Sequence, residues 1–579
     1  MMQRTYCGLV SEELLNQEIL IKGWVKKTRK LGKLLFINVA DRSGLVQVVL
    51  DDTNSHFATA LDLKRESVVE ITGLVRLRKE PNLELKTGKF EIELINLKID
   101  SVALTPPLII EDNTDALEDV RMDYRFLDLR RPIMQRNLFF RSKVINAIRE
   151  FLVDRQFIDV ETPILGKPTP EGARDYLVPS RVHPTKFYAL PQSPQIYKQL
   201  LMCAGFDKYF QIAKCFRDED LRSDRQPEFT QLDMEMSFIE ELDIQSVVEE
   251  LLASVFKKTM NVDVKVPFMR MDYHQAMNEY GSDKPDLRFG LKLHDVTDYF
   301  SQSKLSIFAN AKQNNQVIKA IICDQILDKK LVHELEKYAK DMQAKGLAWV
   351  GLSNNTMTGS IANHLEINEV SNLLQQHNLT QGTILFVVDT LDVVNTSLGL
   401  VRNVLAEKLG LKDPNEFSFL WVVNWPLFEL DPETNQYLPA HHPFTQPQNA
   451  FHHDFDTNKA NALAKAYDVV LNGYELGGGS IRITNPEMQN RMFKALGMSE
   501  TEINNKFGYL IEAFRYGVPP HGGLAIGVDR MIAIMLGLNN IKDVIAFPKN
   551  NKAFDQMLKA PSAANPDDIT NLGLEIIKK

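Results

Sequence analysis

Residues 228–238 alternate with a period of two. Thr230, Leu232, Met234, Met236 and Phe238 fall on one side; Phe229, Gln231, Asp233, Glu235 and Ser237 fall on the other. A strand turns every second residue to the same face, so this stretch has one apolar face and one face of acids, amides and a single aromatic. The polar face meets either solvent or a polar ligand. An apolar strand before it starts at Phe210 and Ile212 and ends at Phe216-Arg217, and the charged loop 218–227 joins the two into a hairpin. Arg217, Arg222 and Arg225 beside Glu219 and Glu228 are suited to clamping phosphates and orienting a purine.

Two further stretches carry the same kind of chemistry. Residues 467–482 read YDVVLNGYELGGGSIR. Asn472-Gly473 is a strong hairpin turn signal, and a turn centred there sets Val470 opposite Glu475. Asp468 then shares a face with Glu475, one diagonal step away. Two carboxylates on one face suit Mg²⁺ arriving with a nucleotide, and the run Gly477-Gly478-Gly479 lets a ligand approach the backbone closely. An acidic edge hairpin with a glycine bulge is the alternative. Residues 522–537, GGLAIGVDRMIAIMLG, read as a small-residue strand entering a helix through Gly527-Val-Asp-Arg530. Met531, Ile534, Met535 and Leu538 suit the buried side of that helix, and Arg530 sits at its start. Neither a GxxxxGK[ST] loop nor a GxGxxG fingerprint is present, which argues against a P-loop NTPase and a Rossmann fold.

A chain of 579 residues is too long for one hydrophobic core and is expected to form several domains. With 44% hydrophobic and 25% charged residues, its composition is that of a globular protein. The four cysteines, Cys7, Cys203, Cys215 and Cys323, form no CxxC pair, so no disulfide framework or cysteine zinc site is expected. No apolar run approaches the ~18 residues of a membrane span, and the N-terminus lacks the apolar stretch of a secretory signal. A cytoplasmic protein is expected. The net charge of −9 gives no global sign of nucleic-acid binding but leaves room for a local basic patch.

Five short strands, near 18–25, 34–41, 45–50, 68–78 and 90–99, suit a small OB-type barrel over 1–105. Lys26, Lys27, Arg29, Lys30 and Lys33 cluster ahead of Phe36. A basic groove with an aromatic platform holds single-stranded nucleic acid; a charged loop beside a core phenylalanine is the alternative. Pro106-Pro107 opens a hinge over 106–135. A helix is expected over about 137–154, with Val144, Ile145, Ile148, Phe151 and Leu152 on one stripe, then a strand from Phe157 stopped at Pro163. Residues 288–415 alternate helical and strand patterns, a separate α/β module between the two halves, 136–287 and 416–579, that hold the motifs.

Together, the strand ending at proline, the hairpin opening Phe216-Arg217-Asp-Glu219 and the Gly527-Val-Asp-Arg530 element resemble motifs 1, 2 and 3 of class II aminoacyl-tRNA synthetases. Pro170-Glu-Gly-Ala-Arg-Asp-Tyr176, Gln192-Ser-Pro-Gln195 with Lys198, Arg225-Gln-Pro-Glu-Phe229, His441-His-Pro-Phe444 and Ala546-Phe-Pro-Lys549 resemble the bacterial-type aspartyl enzymes of that class. The resemblance spans nearly the whole chain. It is weakest in the inserted module, for instance at Ile322-Cys-Asp-Gln325 and Gly351-Leu-Ser-Asn354.

The resemblance implies a multidomain α+β chain: an N-terminal OB-type β-barrel, an antiparallel-sheet catalytic domain and an inserted α/β GAD-type module. It implies aspartate–tRNA ligation through an aspartyl-adenylate, with L-aspartate, ATP and tRNA(Asp) as substrates, Mg²⁺ as cofactor, a homodimer and no membrane. Arg217 and Arg530 would be catalytic. Aspartate would be held by Glu171, Gln195, Lys198, Arg217, Asp233, His441 and Arg482, with Lys198 and Arg482 on its side-chain carboxylate. ATP would be held by Arg217, Asp218, Glu219, Gln226, Phe229, Glu475, Gly527, Val528, Asp529 and Arg530, and Mg²⁺ by Asp468 and Glu475. Arg29, Phe36, Gln47 and Glu91 match anticodon-reading positions. Leu31 resembles the restrictive form of the family; the relaxed form, the alternative reading, also charges tRNA(Asn).

Overall fold

The computed structural model describes residues 3–168, 172–222 and 224–577. The chain divides into two compact units. The first is Met1–Phe139 with Ala546–Asn550 and Phe554–Ser562; the second is Phe140–Ile545 with Asn551–Ala553 and Ala563–Lys579.

In the first unit, strands Glu18–Leu31, Leu34–Asp41, Gly44–Asp51, Val68–Leu77 and Phe90–Ser101 form a barrel. It closes because Glu18–Leu31 pairs with Leu34–Asp41 on one side and with Val68–Leu77 on the other. Alternation drives the closure: Ile19, Ile21, Val25, Ile37, Val39, Val46 and Val48 are all buried inside it. The first strand runs six residues past its expected end, since Gly32, at φ +59°, permits a two-residue turn directly into the second. Phe36 is on the outer face, half-buried, opposite Arg29 and Val49; it is not a core residue.

The stretch expected as a hinge folds around one buried carboxylate. Asp128 accepts from Arg121 at 3.0 Å, Arg125 at 2.6 Å and Arg131 at 2.7 Å. Arg131 also donates to the carbonyls of Glu111 and Asp112, which ties the proline-rich segment back to this node.

The second unit is built on an eight-stranded sheet in the order Met269–Asp272, Phe419–Val423, Ala466–Leu471, Tyr474–Ile481, His521–Gly527, Glu228–Ser237, Lys208–Phe216, Ile158–Asp159. The outermost pairings are parallel and the inner ones antiparallel. One face packs on the helices Glu241–Met260 and Val528–Met535 and on the stripe of Pro132–Asp154 formed by Val144, Ile148 and Leu152. The other face carries the polar residues. Two expectations change here. The strand after Phe157 is only two residues long. Phe238 leaves the core side: the strand ends at Ser237, and Phe238, at φ +59°, is 71% exposed.

The inserted module holds a five-stranded sheet, Leu293–Asp295, Val317–Cys323, Gly382–Asp389, Ala348–Ser353, Thr356–Thr358, with every pairing antiparallel. Helices Lys329–Asp341, Ile367–Gln376 and Leu391–Lys408 cover it. Val317–Cys323 is buried on both faces and so lacks the period-two signal of a half-buried strand.

Candidate active site

The polar sheet face forms the floor of a cavity of about 470 Å³. Among the described residues, five buried polar atoms without a hydrogen-bond partner belong to its lining: Gln195 Nε2, Arg217 Nε, Asp233 Oδ2, His441 Nδ1 and Arg530 Nε. Buried polar groups are nearly always paired, so this convergence marks a site built for a polar ligand. The solvent-exposed alternative for the 228–238 face is ruled out: Asp233 and Glu235 are fully buried.

Two cations and two carboxylates sit at the bottom. Lys198 donates to Asp233 at 2.7 Å and lies 3.3 Å from Glu235 Oε2. Arg482 grips Glu235 with two parallel bonds, Nε at 2.8 Å and Nη2 at 3.0 Å. Its Nη1 reaches Ser480 Oγ at 2.8 Å and His442 Nε2 at 2.5 Å. Four of the five guanidinium N–H groups therefore have partners among the described residues, and one hydrogen on Nη2 remains. Burial alone raises a carboxylate's pKa, but Arg482 and then Lys198 outweigh it and hold Glu235 down at about 2. At Asp233 burial outweighs Lys198, and the pKa rises. Burial and the neighbouring Arg482 keep His442 neutral, so its Nε2 lone pair can face the guanidinium.

Glu235 was not singled out from the sequence, although the alternation set it on the right face. Its signal is the glycine opposite. Glu235 pairs with Gly523, where a Cβ would stand 1.9 Å from Glu235 Oε2.

The Asn472-Gly473 turn forms as read, with φ +53° and +86°, and Val470 does face Glu475. One residue then slips: Val469 pairs with Gly477, so Leu476 is extra and turns into the core. Asp468 and Glu475 still share the cavity. Burial and then Asp468 push the pKa of Glu475 up, as expected for a buried carboxylate beside another. His441 Nε2 lies 3.2 Å from Asp468 Oδ1. Burial opposes its protonation, yet Asp468 raises its pKa above the ordinary value.

Asp468 faces Gly478, where a Cβ would stand 2.4 Å from Oδ1. The glycine thus leaves room for the Asp468 carboxylate at this wall of the cavity.

On the other wall, Arg217 stacks on Phe229 with its guanidinium carbon 5.2 Å from the ring centre. Glu219 pairs with Arg225 at 2.8 Å. Arg530 is held at Asp224 Oδ2 (3.1 Å) and Glu475 O (2.6 Å). Gln226 and Gly527 line the same wall.

Four expected ligand residues stand differently. Val528 is wholly buried in the core, because it opens the helix on its apolar side. Asp218 and Arg222 are not in the cavity lining; Asp218 lies by Arg174 at 3.8 Å, and Arg222 is exposed. Asp529 lines the cavity, but its carboxylate is committed: Oδ2 accepts from Thr230 N–H at 2.7 Å and Oδ1 pairs with Arg141. Glu171 lies outside the described residues.

On the barrel, Gln47 Nε2 donates to Glu91 Oε2 at 2.8 Å, and Arg78 donates to Gln47 Oε1. Arg29, Phe36, Gln47 and Glu91 share one outer face, with Arg29 paired across to Phe36 and Gln47 to Glu91.

The profile of tRNA synthetases class II (D, K and N) matches residues 117–551, and that of the OB-fold nucleic acid binding domain matches 19–99. The chain is 53% identical over 576 residues to the aspartate–tRNA ligase of Ureaplasma parvum, covering 99% of each. It is 49% identical over 582 residues to that of Streptococcus pyogenes serotype M1, covering 100% of this chain and 99% of the relative. Among solved structures, asparaginyl-tRNA synthetase from Pyrococcus horikoshii with asparaginyl-adenylate superposes with a TM-score of 0.60 at 19% identity, covering 95% of this chain and 98% of that one. A putative aspartyl-tRNA synthetase from Leishmania major Friedlin does so with a TM-score of 0.60 at 19% identity, covering 95% and 94%. At such identity these two speak for the fold alone.

Proposed function

The chain belongs to the class II tRNA synthetases and joins aspartate to tRNA, and from that premise we propose how its cavity divides the work. The relatives are named for aspartate, and charging of tRNA(Asn) as well is not favoured. The observation that carries the proposal is the set of five unpartnered polar atoms around the paired cations.

Lys198 and the remaining Nη2 hydrogen of Arg482 read the side-chain carboxylate of aspartate. Arg482 cannot offer its whole Nε edge, because Glu235 holds it. Gln195 and Asp233, with Glu171, receive the α-ammonium, and His441 roofs the pocket. Phe229 and Arg530 sandwich the adenine by stacking and cation–π contact. Gln226 and Glu219 orient the nucleotide.

A carboxylate oxygen of aspartate then attacks the α-phosphorus. The bond to pyrophosphate breaks, and Arg217 stabilises the charge that gathers on the phosphoryl oxygens. In the second step the terminal ribose hydroxyl of tRNA(Asp) attacks the aspartyl carbonyl, and AMP leaves. Asp468 and Glu475 fit Mg²⁺: they are hard oxygen donors, few in number, which leaves room for phosphate oxygens and water. When bound, the ion neutralises the polyphosphate and the leaving pyrophosphate. Phe36 stacks on an anticodon base while Arg29, Gln47 and Glu91 read base edges.

Four cysteines outside any disulfide support a reducing, cytoplasmic setting. Exposed Ile158, Ile164 and Leu165 around the sheet's two-residue end strand support a homodimer, which sedimentation at micromolar concentration tests.

Arg217→Ala is expected to lower kcat for aspartate-dependent ATP–pyrophosphate exchange about 10²-fold. An unchanged kcat would remove Arg217 from the reaction. The reading as a whole is tested by charging purified tRNA(Asp) and tRNA(Asn) with labelled aspartate. Charging of the first alone is expected; no charging of either would overturn it.

A further inference from the structure

We propose that Arg402 of the inserted module is a positioning residue for the nucleotide side of the catalytic cavity, acting through the linker 281–291. The proposal rests on the reading that Asp468 and Glu475 face magnesium and ATP.

Arg402 lies on the helix Leu391–Lys408 and is wholly buried. Nη2 and Nε of its guanidinium donate to main-chain carbonyls, while Nη1 is buried without a hydrogen-bond partner. Nη2 donates to Asp286 O at 2.8 Å, Phe289 O at 3.0 Å and Gly290 O at 2.9 Å, and Nε donates to Leu291 O at 3.1 Å. The group stacks on Phe289, 4.1 Å from the ring centre, and near Tyr280, at 4.9 Å. The Asp286 carboxylate makes no hydrogen bond to it, being taken by Arg288 through Nε and Nη2 at 3.0 and 2.7 Å, although its charge favours the guanidinium. A buried cation whose hydrogen bonds all go to carbonyls tolerates little movement of them, because each lost bond leaves charge less well solvated.

Two other contacts grip the start of the same linker. Gly281, at φ +65°, ends the helix Tyr273–Tyr280 and meets Gly399, one turn before Arg402; a Cβ on Gly399 would stand 2.3 Å from Gly281 O. Lys319, also buried, donates to Asn278 O at 2.9 Å and Asn395 Oδ1 at 2.7 Å, joining the helix before the linker to the module.

The clamped segment reaches the site in two places. Asp283 lines the cavity beside Glu475. Asp286 packs under the turn of the carboxylate hairpin: its Cβ lies 3.1 Å from where a Cβ on Gly473 would stand. That turn sets Glu475 and, across the ladder, Asp468. Lys198 sits on the helix Gln195–Cys203, and Arg482 follows the far end of the hairpin strand Tyr474–Ile481, away from the turn that Asp286 supports. The module therefore braces the nucleotide wall at the turn end of the hairpin, away from its Arg482 end.

The full-length chain carrying Arg402→Met, Arg402→Lys or Asp283→Asn tests this. Three readouts are needed: KM for ATP and for aspartate in pyrophosphate exchange, calorimetric Kd for the ATP analogue AMPPNP with magnesium, and thermal melting. In Arg402→Met, Kd for AMPPNP and KM for ATP are expected to rise about fivefold or more while KM for aspartate stays within about twofold. Arg402→Lys recovers part of the loss, since one ammonium cannot reach all four carbonyls. Asp283 is 41% exposed, so Asp283→Asn should fold normally and still weaken AMPPNP at low magnesium.

A lowered melting point with both KM values unchanged would make Arg402 merely structural and overturn the proposal. Equal losses for ATP and aspartate would also overturn it. If Arg402→Met fails to fold, Arg402→Lys decides by the same split. Wild-type protein without aspartate-dependent exchange would sink the ligase reading instead, so the two failures are distinguishable.

Discussion

Arg482→Leu is expected to lower kcat/KM for aspartate about 10³-fold, equivalent to ~4 kcal/mol, in ATP–pyrophosphate exchange. Two losses combine. The substrate carboxylate loses a charge-assisted donor. Glu235, fully buried, loses the two bonds that keep it ionised at 2.8 and 3.0 Å. Lys198 is then drawn toward two carboxylates at once, Asp233 and Glu235, and has less field left for the substrate. Asparagine, with no charge on its side chain, loses far less, so the preference between the two amino acids collapses. An Arg482→Leu variant that keeps its full preference for aspartate would show that the arginine is only a structural partner of Glu235.

Glu235→Leu is expected to cost ~3–5 kcal/mol of stability, because it leaves the buried Arg482 uncompensated. Denaturant midpoints on variant and wild type check it; a shift under about 1 kcal/mol would mean that water or another group already neutralises the arginine. The pH dependence has a definite sign. Glu235 has its pKa lowered from 4.5 to about 2 in the fold, so the stability it contributes is present above about pH 4.5 and is lost as pH falls toward 2. Glu235→Gln should remove that part of the acid sensitivity. The double variant Arg482→Met, Glu235→Gln separates folding from recognition: with both charges gone it should regain much of the stability but none of the aspartate activation.

Much of this site was legible because short-range periodicity carried it. The two-residue alternation brought Asp233 and Glu235 to one face, and the Asn472-Gly473 turn brought Asp468 near Glu475. The Leu476 bulge was not legible, since a single extra residue leaves no trace in an alternation already interrupted by three glycines. Nor was the grip of Arg482 on Glu235, which joins residues 247 apart in the chain. Phe238 failed for a local reason: the pattern continued one residue beyond the last ladder bond, and a positive φ turned the ring to solvent. In the inserted module, strands buried on both faces lose the polar half of the signal, so Val317–Cys323 passed unnoticed. Within the stretch expected as a hinge, three arginines converge on Asp128, an arrangement the proline signal does not carry. The roles given to Gln195, His441 and the anticodon residues came from family resemblance, which no local pattern supplies.

Two buried cations, pre-paired with Asp233 and Glu235, are proposed to select a substrate carrying a second carboxylate. The most direct test is ATP–pyrophosphate exchange by the wild-type protein with L-aspartate and L-asparagine measured side by side. Exchange is expected with aspartate and, at equal concentration, at least about 10³-fold less with asparagine, the discrimination that follows where buried charged groups are left unpaired. Comparable exchange with both would contradict it.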